Sequence, residues 1–335
     1  MKKIILTIVV MLLISLCVLT TQASDPLPLK KSIYVNDDNT QGPWLGTQDN
    51  PYRYIQDAID NAVADDIIYV ANGTYYEHLI IYSHLNGLTI QHWTDAPGEN
   101  DNIPPTLNGN STGTGISIFS SKVKITQLSI TDYGSGGRDA GIYIEYDANR
   151  AQIINNIIID SYHGIWIKRD RQADTLHIIQ DNVISNIAQR GISIILGDNN
   201  QIVGNTLSNC YWGICLHDSY KNFISENLFI NNEHGLVIDM GMENRIENNE
   251  FKQNEYGLAL IGTRSTTIRK NNFIDNTKSD AYIITYSFVN ADVWSENYWG
   301  RRLFSPIVII PGTLRLAKID IPWVKLEFFP ASQPN

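Results

Sequence analysis

Residues 205–226 read NTLSNCYWGICLHDSYKNFISE, residues 227–248 read NLFINNEHGLVIDMGMENRIEN, and residues 249–271 read NEFKQNEYGLALIGTRSTTIRKN. Asn205, Asn227 and Asn249 open these segments 22 residues apart, and Asn272 marks the next one 23 later. Two residues beyond each marker stands a large apolar side chain: Leu207, Phe229, Phe251 and Ile274. A second marker keeps the same period, with Gly191, Gly213, Gly235 and Gly257 each opening an apolar-x-apolar strand. Two markers locked to one period of this length are the signature of stacked repeats.

The pattern loosens upstream without vanishing. Asn156 and Asn182 precede Asn205, and Gly141 and Gly164 precede Gly191, so the extra residues fall between markers as loops. An earlier turn around Gly115 carries Leu128 where the asparagine is expected, and the last marker is Asn297, followed by Trp299. Insertions confined to the corners are what a solenoid tolerates.

Within Gly235-Leu236-Val237-Ile238, strand alternation puts Leu236 and Ile238 on one face and Val237 on the other. Repeated in every coil, this stacks Ile142, Ile165, Ile192, Ile214, Leu236 and Leu258 in one interior file. Coils of about 22 residues leave no room for a helix in each repeat, and the β-branched content favours strands. The expected fold is all-β: a parallel β-helix of about ten coils over residues 67–297, a rod roughly 45–50 Å long at the ~4.8 Å strand spacing. Equivalent asparagines then hydrogen-bond in a ladder along the axis. A leucine-rich horseshoe has a similar period, but its leucine-dense consensus is absent.

An open column needs lids. At the front, within residues 24–66, Asn50 and Pro51 suit the start of a short helix running from Tyr52 to Ala64, whose apolar face is Ile55, Ala58, Ile59 and Ala62. At the back, residues 298–335 are aromatic and proline-broken, and read as a C-terminal cap or an interaction segment. Residues 1–23 look like a signal peptide: Lys2 and Lys3, an apolar run from Ile4 to Leu19, and small residues ending at Ala23. That run is shorter than the ~20 residues needed to span a bilayer, no later run reaches that length, and the expected localisation is secreted, extracellular or periplasmic.

Cleavage would take the formal charge from -10 to -12 by removing the two lysines. Such acidity argues against nucleic acid as a partner. Only Cys210 and Cys215 would remain, either bridged across a small loop or free, so disulfides do not hold the column together.

The asparagine-turn and glycine-strand repeats resemble those of the right-handed parallel β-helices of the pectin-lyase-like superfold, and in particular the NosD-like family of periplasmic copper-binding proteins. The opening motifs Ile33-Tyr34-Val35-Asn36-Asp37, Gly46-Thr47-Gln48-Asp49-Asn50-Pro51-Tyr52 and Asp66-Ile67-Ile68-Tyr69-Val70, and the closing Asn297-Tyr298-Trp299-Gly300, carry the same resemblance. It implies a right-handed fold, whereas activity stays open, because this superfold carries lyases, hydrolases, epimerases and non-catalytic binders.

The outward files beside each glycine are the place for chemistry. Tyr143 and Trp166 on adjacent coils are suited to stack on sugar rings, with Glu145 and Lys168 placed to hydrogen-bond hydroxyls; the bland reading is a solvated face with an ordinary Glu145–Lys168 pair. For a lyase or epimerase on acidic glycans, with calcium to neutralise a uronate, the candidates are Lys168 and Asp170 with nearby His177, on a loop longer than its neighbours. The copper reading implied by the family rests on Cys215 and His217, with Asp239 one coil on. The reading that fits most of these residues is a secreted, non-catalytic scaffold that binds glycan, with the enzyme and the copper protein as its rivals.

Overall fold

The computed structural model describes residues 30–98, 103–287, 291–300, 307–316, 319–328 and 330–335. The expected signal peptide therefore lies outside the described residues. Ser32–Asn335 form one compact unit, and among the described residues no helix is long and apolar enough to cross a membrane.

The chain winds through a parallel β-solenoid of about ten turns. Among the described residues three sheets of 11, 11 and 9 strands run along it, and the coils contribute in turn to each sheet. The sheet that carries the glycine markers contains β1 (Leu79–Ile81), β2 (Ile116–Ile118), β3 (Ala140–Ile144), β4 (His163–Asp174), β5 (Arg190–Asp198), β6 (Trp212–His217), β7 (His234–Asp239), β8 (Tyr256–Ile261) and β9 (Ser279–Thr285). It ends in an antiparallel hairpin of β10 (Ile307–Leu316) and β11 (Ile319–Phe328). The expected interior file is in register, Ile142 to Ile165, Ile192, Ile214, Leu236 and Leu258, and none of these side chains reaches solvent. Each such burial contributes roughly 1.5–3 kcal/mol.

Steric approach explains the glycines. A Cβ on Gly213 would lie 2.5 Å from the Gly235 carbonyl oxygen, and one on Gly235 would lie 2.6 Å from that of Gly257. Adjacent coils pass too closely at this corner for any side chain.

Asparagines satisfy the polar groups inside the column through three ladders rather than one. The main ladder runs Asn156, Asn182, Asn205, Asn227, Asn249, Asn271 and Asn297, each backbone N–H donating to the next Oδ1. Asn271, not Asn272, occupies the rung after Asn249, so the 22-residue spacing holds and Phe273 rather than Ile274 enters the core. Of two adjacent asparagines only one can face inward, and the strand pairing of Phe251 with Phe273 selects Asn271. A second ladder joins Asn232, Asn254 and Asn276, and a third joins Asn200, Asn222 and Asn244. Beside the main ladder the rings of Phe229, Phe251, Phe273 and Trp299 stack with centroids 4.7, 4.9 and 4.5 Å apart.

The single helix among the described residues, α1, is shorter than expected, spanning Ile55–Asp60. Residues before it are held extended: the Tyr52 N–H donates to the Tyr34 carbonyl, and the Asn36 N–H to the Tyr52 carbonyl. Asn50 therefore caps nothing. The Glu77 carboxylate does so instead, accepting the Ile55 and Gln56 N–H groups at 2.8 and 2.9 Å. At the other end the Glu327 carboxylate of β11 enters the column, accepting from the Asn297 backbone N–H and from Trp299 Nε1, both at 2.8 Å. Cys210 and Cys215 are free thiols, the first inside the column and the second outside the sheet.

Candidate ligand-binding groove

The outward file two residues after each glycine is in register from Tyr143 through Trp166, Ser193, Cys215 and Val237 to Ala259. It does not form an open face. Trp166 is only 8% exposed and Ser193 not at all. Cys215 and Val237 form the floor of a groove of about 340 Å³, between a wall that includes Arg190, Trp212 and His234 and one of Ile195, His217, Asp239 and Ile261.

The first wall is built from the residue immediately before each glycine. On successive coils these are His163, Arg190, Trp212, His234 and Tyr256, a file that outward-strand reasoning passes over although it repeats at the glycine period. From Arg190 onward these side chains form a continuous ladder. The Arg190 guanidinium lies 4.9 Å over the Trp212 ring, Trp212 meets His234 edge-on at 6.0 Å, and His234 stacks on Tyr256 at 4.7 Å. Tyr282 closes the end of the ladder against Tyr256, centroids 5.4 Å apart.

Along the same face, His163 Nδ1, Trp166 Nε1, Ser193 Oγ, Trp212 Nε1 and His234 Nδ1 are buried atoms without a hydrogen-bond partner. Orphaned polar atoms are uncommon in folded proteins, and these five lie on four consecutive coils of this sheet. Burial holds His234 below the usual histidine range, and burial with help from Arg190 lowers His163 to about 4.

Several expected sites look different in place. Tyr143 and Trp166 meet edge-on at 71°, and Trp166 packs at 4.4 Å against His163. They present no pair of parallel faces to a sugar. Glu145 lines a separate cavity, and no ion pair among the described residues joins it to Lys168. Lys168 pairs in register with Ile195, one coil before that groove-lining residue.

The expected loop after Lys168 is instead the continuation of β4, with a register shift between Lys168 and Ala173. Asp170 is exposed on it. His177 is no partner for either residue. It is fully buried inside the column, accepting the Ala151 N–H at Nδ1 while its backbone N–H donates to Asn200 Oδ1, so it stands where an asparagine rung would be, with its Nε2 left without a partner. Burial, with a smaller push from Arg169, lowers its pKa from 6.5 to about 3.

The neutral ring is the folded form. Below about pH 6.5 the unfolded chain gains a proton that the folded chain refuses until about pH 3, so stability is intact above that window and falls through it on acidification. Denaturation midpoints should accordingly drop between pH 7 and 4, and His177→Asn should flatten that drop. An unchanged slope would exclude His177 as its source.

The copper candidates line one groove, Cys215 in its floor and His217 and Asp239 in one wall. His217 Nδ1 lies 2.9 Å from Asp239 Oδ2, and its Nε2 lies 3.3 Å from Asp218 Oδ2, so both ring nitrogens face carboxylates. Burial pushes the Cys215 thiol up to about 11. Among the described residues no group of three or more His, Cys, Asp or Glu side chains is placed to hold a metal ion.

No curated protein sequence matches the chain. Among solved structures, XylC, determined with xylose, is 14% identical with a TM-score of 0.50, over 84% of this chain and 71% of that one. The Dettilon tailspike protein is 14% identical with a TM-score of 0.51, over 79% and 61% of the two chains. Full-length tailspike protein 2 from the Escherichia coli O157:H7 bacteriophage CAB120 gives 14% and 0.51, over 77% and 36%. At such identities the likeness is one of fold. Residues 140–293 match the family model described as a right handed beta helix region, and the solenoid is accordingly a right-handed parallel β-helix.

Proposed function

We propose that this chain is a secreted, non-catalytic glycan-binding β-helix of NosD-like type, released by cleavage after Ala23, with α1 closing the front of the column. The observation that carries the reading is the ladder of half-buried rings along one wall of the groove, in which Trp212 Nε1 and His234 Nδ1 lack hydrogen-bond partners. Rings that stack and N–H or O–H groups that lack partners are together what a polyhydroxylated chain satisfies. The closing Asn297-Tyr298-Trp299-Gly300 supports the NosD-like assignment.

The test is affinity electrophoresis against a panel of neutral and acidic polysaccharides. At least one should retard the protein, and Trp212→Ala should weaken that interaction by about three- to tenfold, the worth of one stacked ring. No retardation by any polymer, or equal retardation of the variant, would refute the groove.

A second reading, a lyase or epimerase on acidic glycans, is favoured by His217. Its ring sits at the groove wall, oriented by Asp239 and Asp218, an arrangement suited to moving a proton. Turnover of a retained polymer that disappears in His217→Ala would replace the binding scaffold with the enzyme.

A further inference from the structure

A second cavity lies on the same sheet nearer its N-terminal end, separated from the groove by the coil of β4. It measures about 760 Å³ and is lined by Ile80, Tyr82, His84, Phe119, Tyr146 and the carboxylates Glu145 and Asp147, with Ser83 between. Register explains the convergence. Ile81, Ile118 and Ile144 pair across β1, β2 and β3, so the residues that follow them, Tyr82, Phe119 and Glu145, emerge side by side on three consecutive coils.

Ile80, Tyr82, Phe119 and Tyr146 are each between 40 and 47% exposed. Single exposed apolar residues need no explanation, but four around one cavity form a patch of the kind that marks a binding site. Tyr82 and His84 already lie parallel, 6.0 Å apart with 9° between their planes. The lining includes two carboxylates and no lysine or arginine, on a chain whose net charge is -10. Aromatic faces attract cations through their quadrupole, and carboxylates at the rim supply the counter-charge.

We propose that this cavity binds a small organic ammonium ion, with Tyr82, Phe119 and Tyr146 around its alkyl groups and Asp147 facing its charge. Asp147 is exposed at the rim whereas Glu145 is half-buried, so Asp147 is the carboxylate placed to meet the ligand's charge. The site is independent of the groove.

Choline is the probe, with 3,3-dimethylbutan-1-ol as its neutral isostere, titrated against the full chain by NMR. Choline should saturate the site in the millimolar range, weaken with added salt and bind at least tenfold more tightly than the alcohol. Tyr146→Leu and Asp147→Asn change exposed residues and should melt like the parent, yet each should weaken choline about three- to tenfold. Polysaccharide retardation should persist in Asp147→Asn, which separates this site from the groove. Absence of saturable binding, equal affinity for the alcohol, or an Asp147→Asn variant that binds choline like the parent would overturn the proposal.

Discussion

Replacing Asn227 with alanine is expected to cost about 3–5 kcal/mol, because a single side chain there serves several buried groups at once. Its Oδ1 accepts from the Asn205 backbone N–H at 2.9 Å and from Asn205 Nδ2 at 3.0 Å. Its Nδ2 faces the Ile202 and Ser225 carbonyls at 2.8 and 3.0 Å and Asn249 Oδ1 at 3.0 Å. Alanine leaves these groups buried without partners, at roughly 1–3 kcal/mol for each one that water cannot reach. Aspartate should do no better at neutral pH: a carboxylate accepts where the wild type accepts, yet it sets oxygen against oxygen at Ile202, Ser225 and Asn249. Urea unfolding of the three proteins decides the point, and a loss below 1 kcal/mol for both variants would show that the ladder stabilises nothing.

The second large effect belongs to Phe251. Its ring lies between Phe229 and Phe273, nearly parallel to both at 3° and 7°, with no exposed surface. Phe251→Ala should cost about 3–5 kcal/mol through lost transfer energy and the cavity left in the stack. Phe251→Leu keeps most of the volume and should cost less than about 1.5 kcal/mol. In a solenoid each coil touches only its neighbours, so protection from amide exchange should fall first in the coils beside residue 251. Uniform loss along the whole rod would mean that the column unfolds as one cooperative unit.

The glycine and asparagine periods made the coil legible in the sequence, because both are imposed by contacts between equivalent positions of adjacent coils. Gly213 has no room for a Cβ, and Asn205 needs an amide one coil away; either constraint repeats wherever the coil does. Where the constraint is met by a different residue, the sequence misleads. Asn271 and Asn272 are equally good markers on paper, and only pairing separates them. His177 looks like surface chemistry beside Lys168 and Asp170, yet it is a rung of the third ladder. The groove is the larger omission. Alternation correctly sends Trp166, Ser193 and Cys215 outward, but outward is not exposed when the next residues along each strand rise on both sides. The sequence did hold a signal for the wall: Arg190, Trp212, His234 and Tyr256 each precede a glycine marker.

The main ladder also has a direction. In every rung the amide nitrogen points toward the following coil, Asn205 to Asn227 to Asn249 to Asn271 to Asn297. Side-chain dipoles aligned head to tail add, as peptide dipoles do in a helix, so the ladder carries a partial positive pole at its C-terminal end. Glu327 meets that pole, accepting from both nitrogens of Asn297 at 2.8 and 3.3 Å. One carboxylate is therefore the counter-charge for the whole of the main ladder. A coil inserted or deleted upstream would change the length of the dipole chain and leave its terminus unaltered.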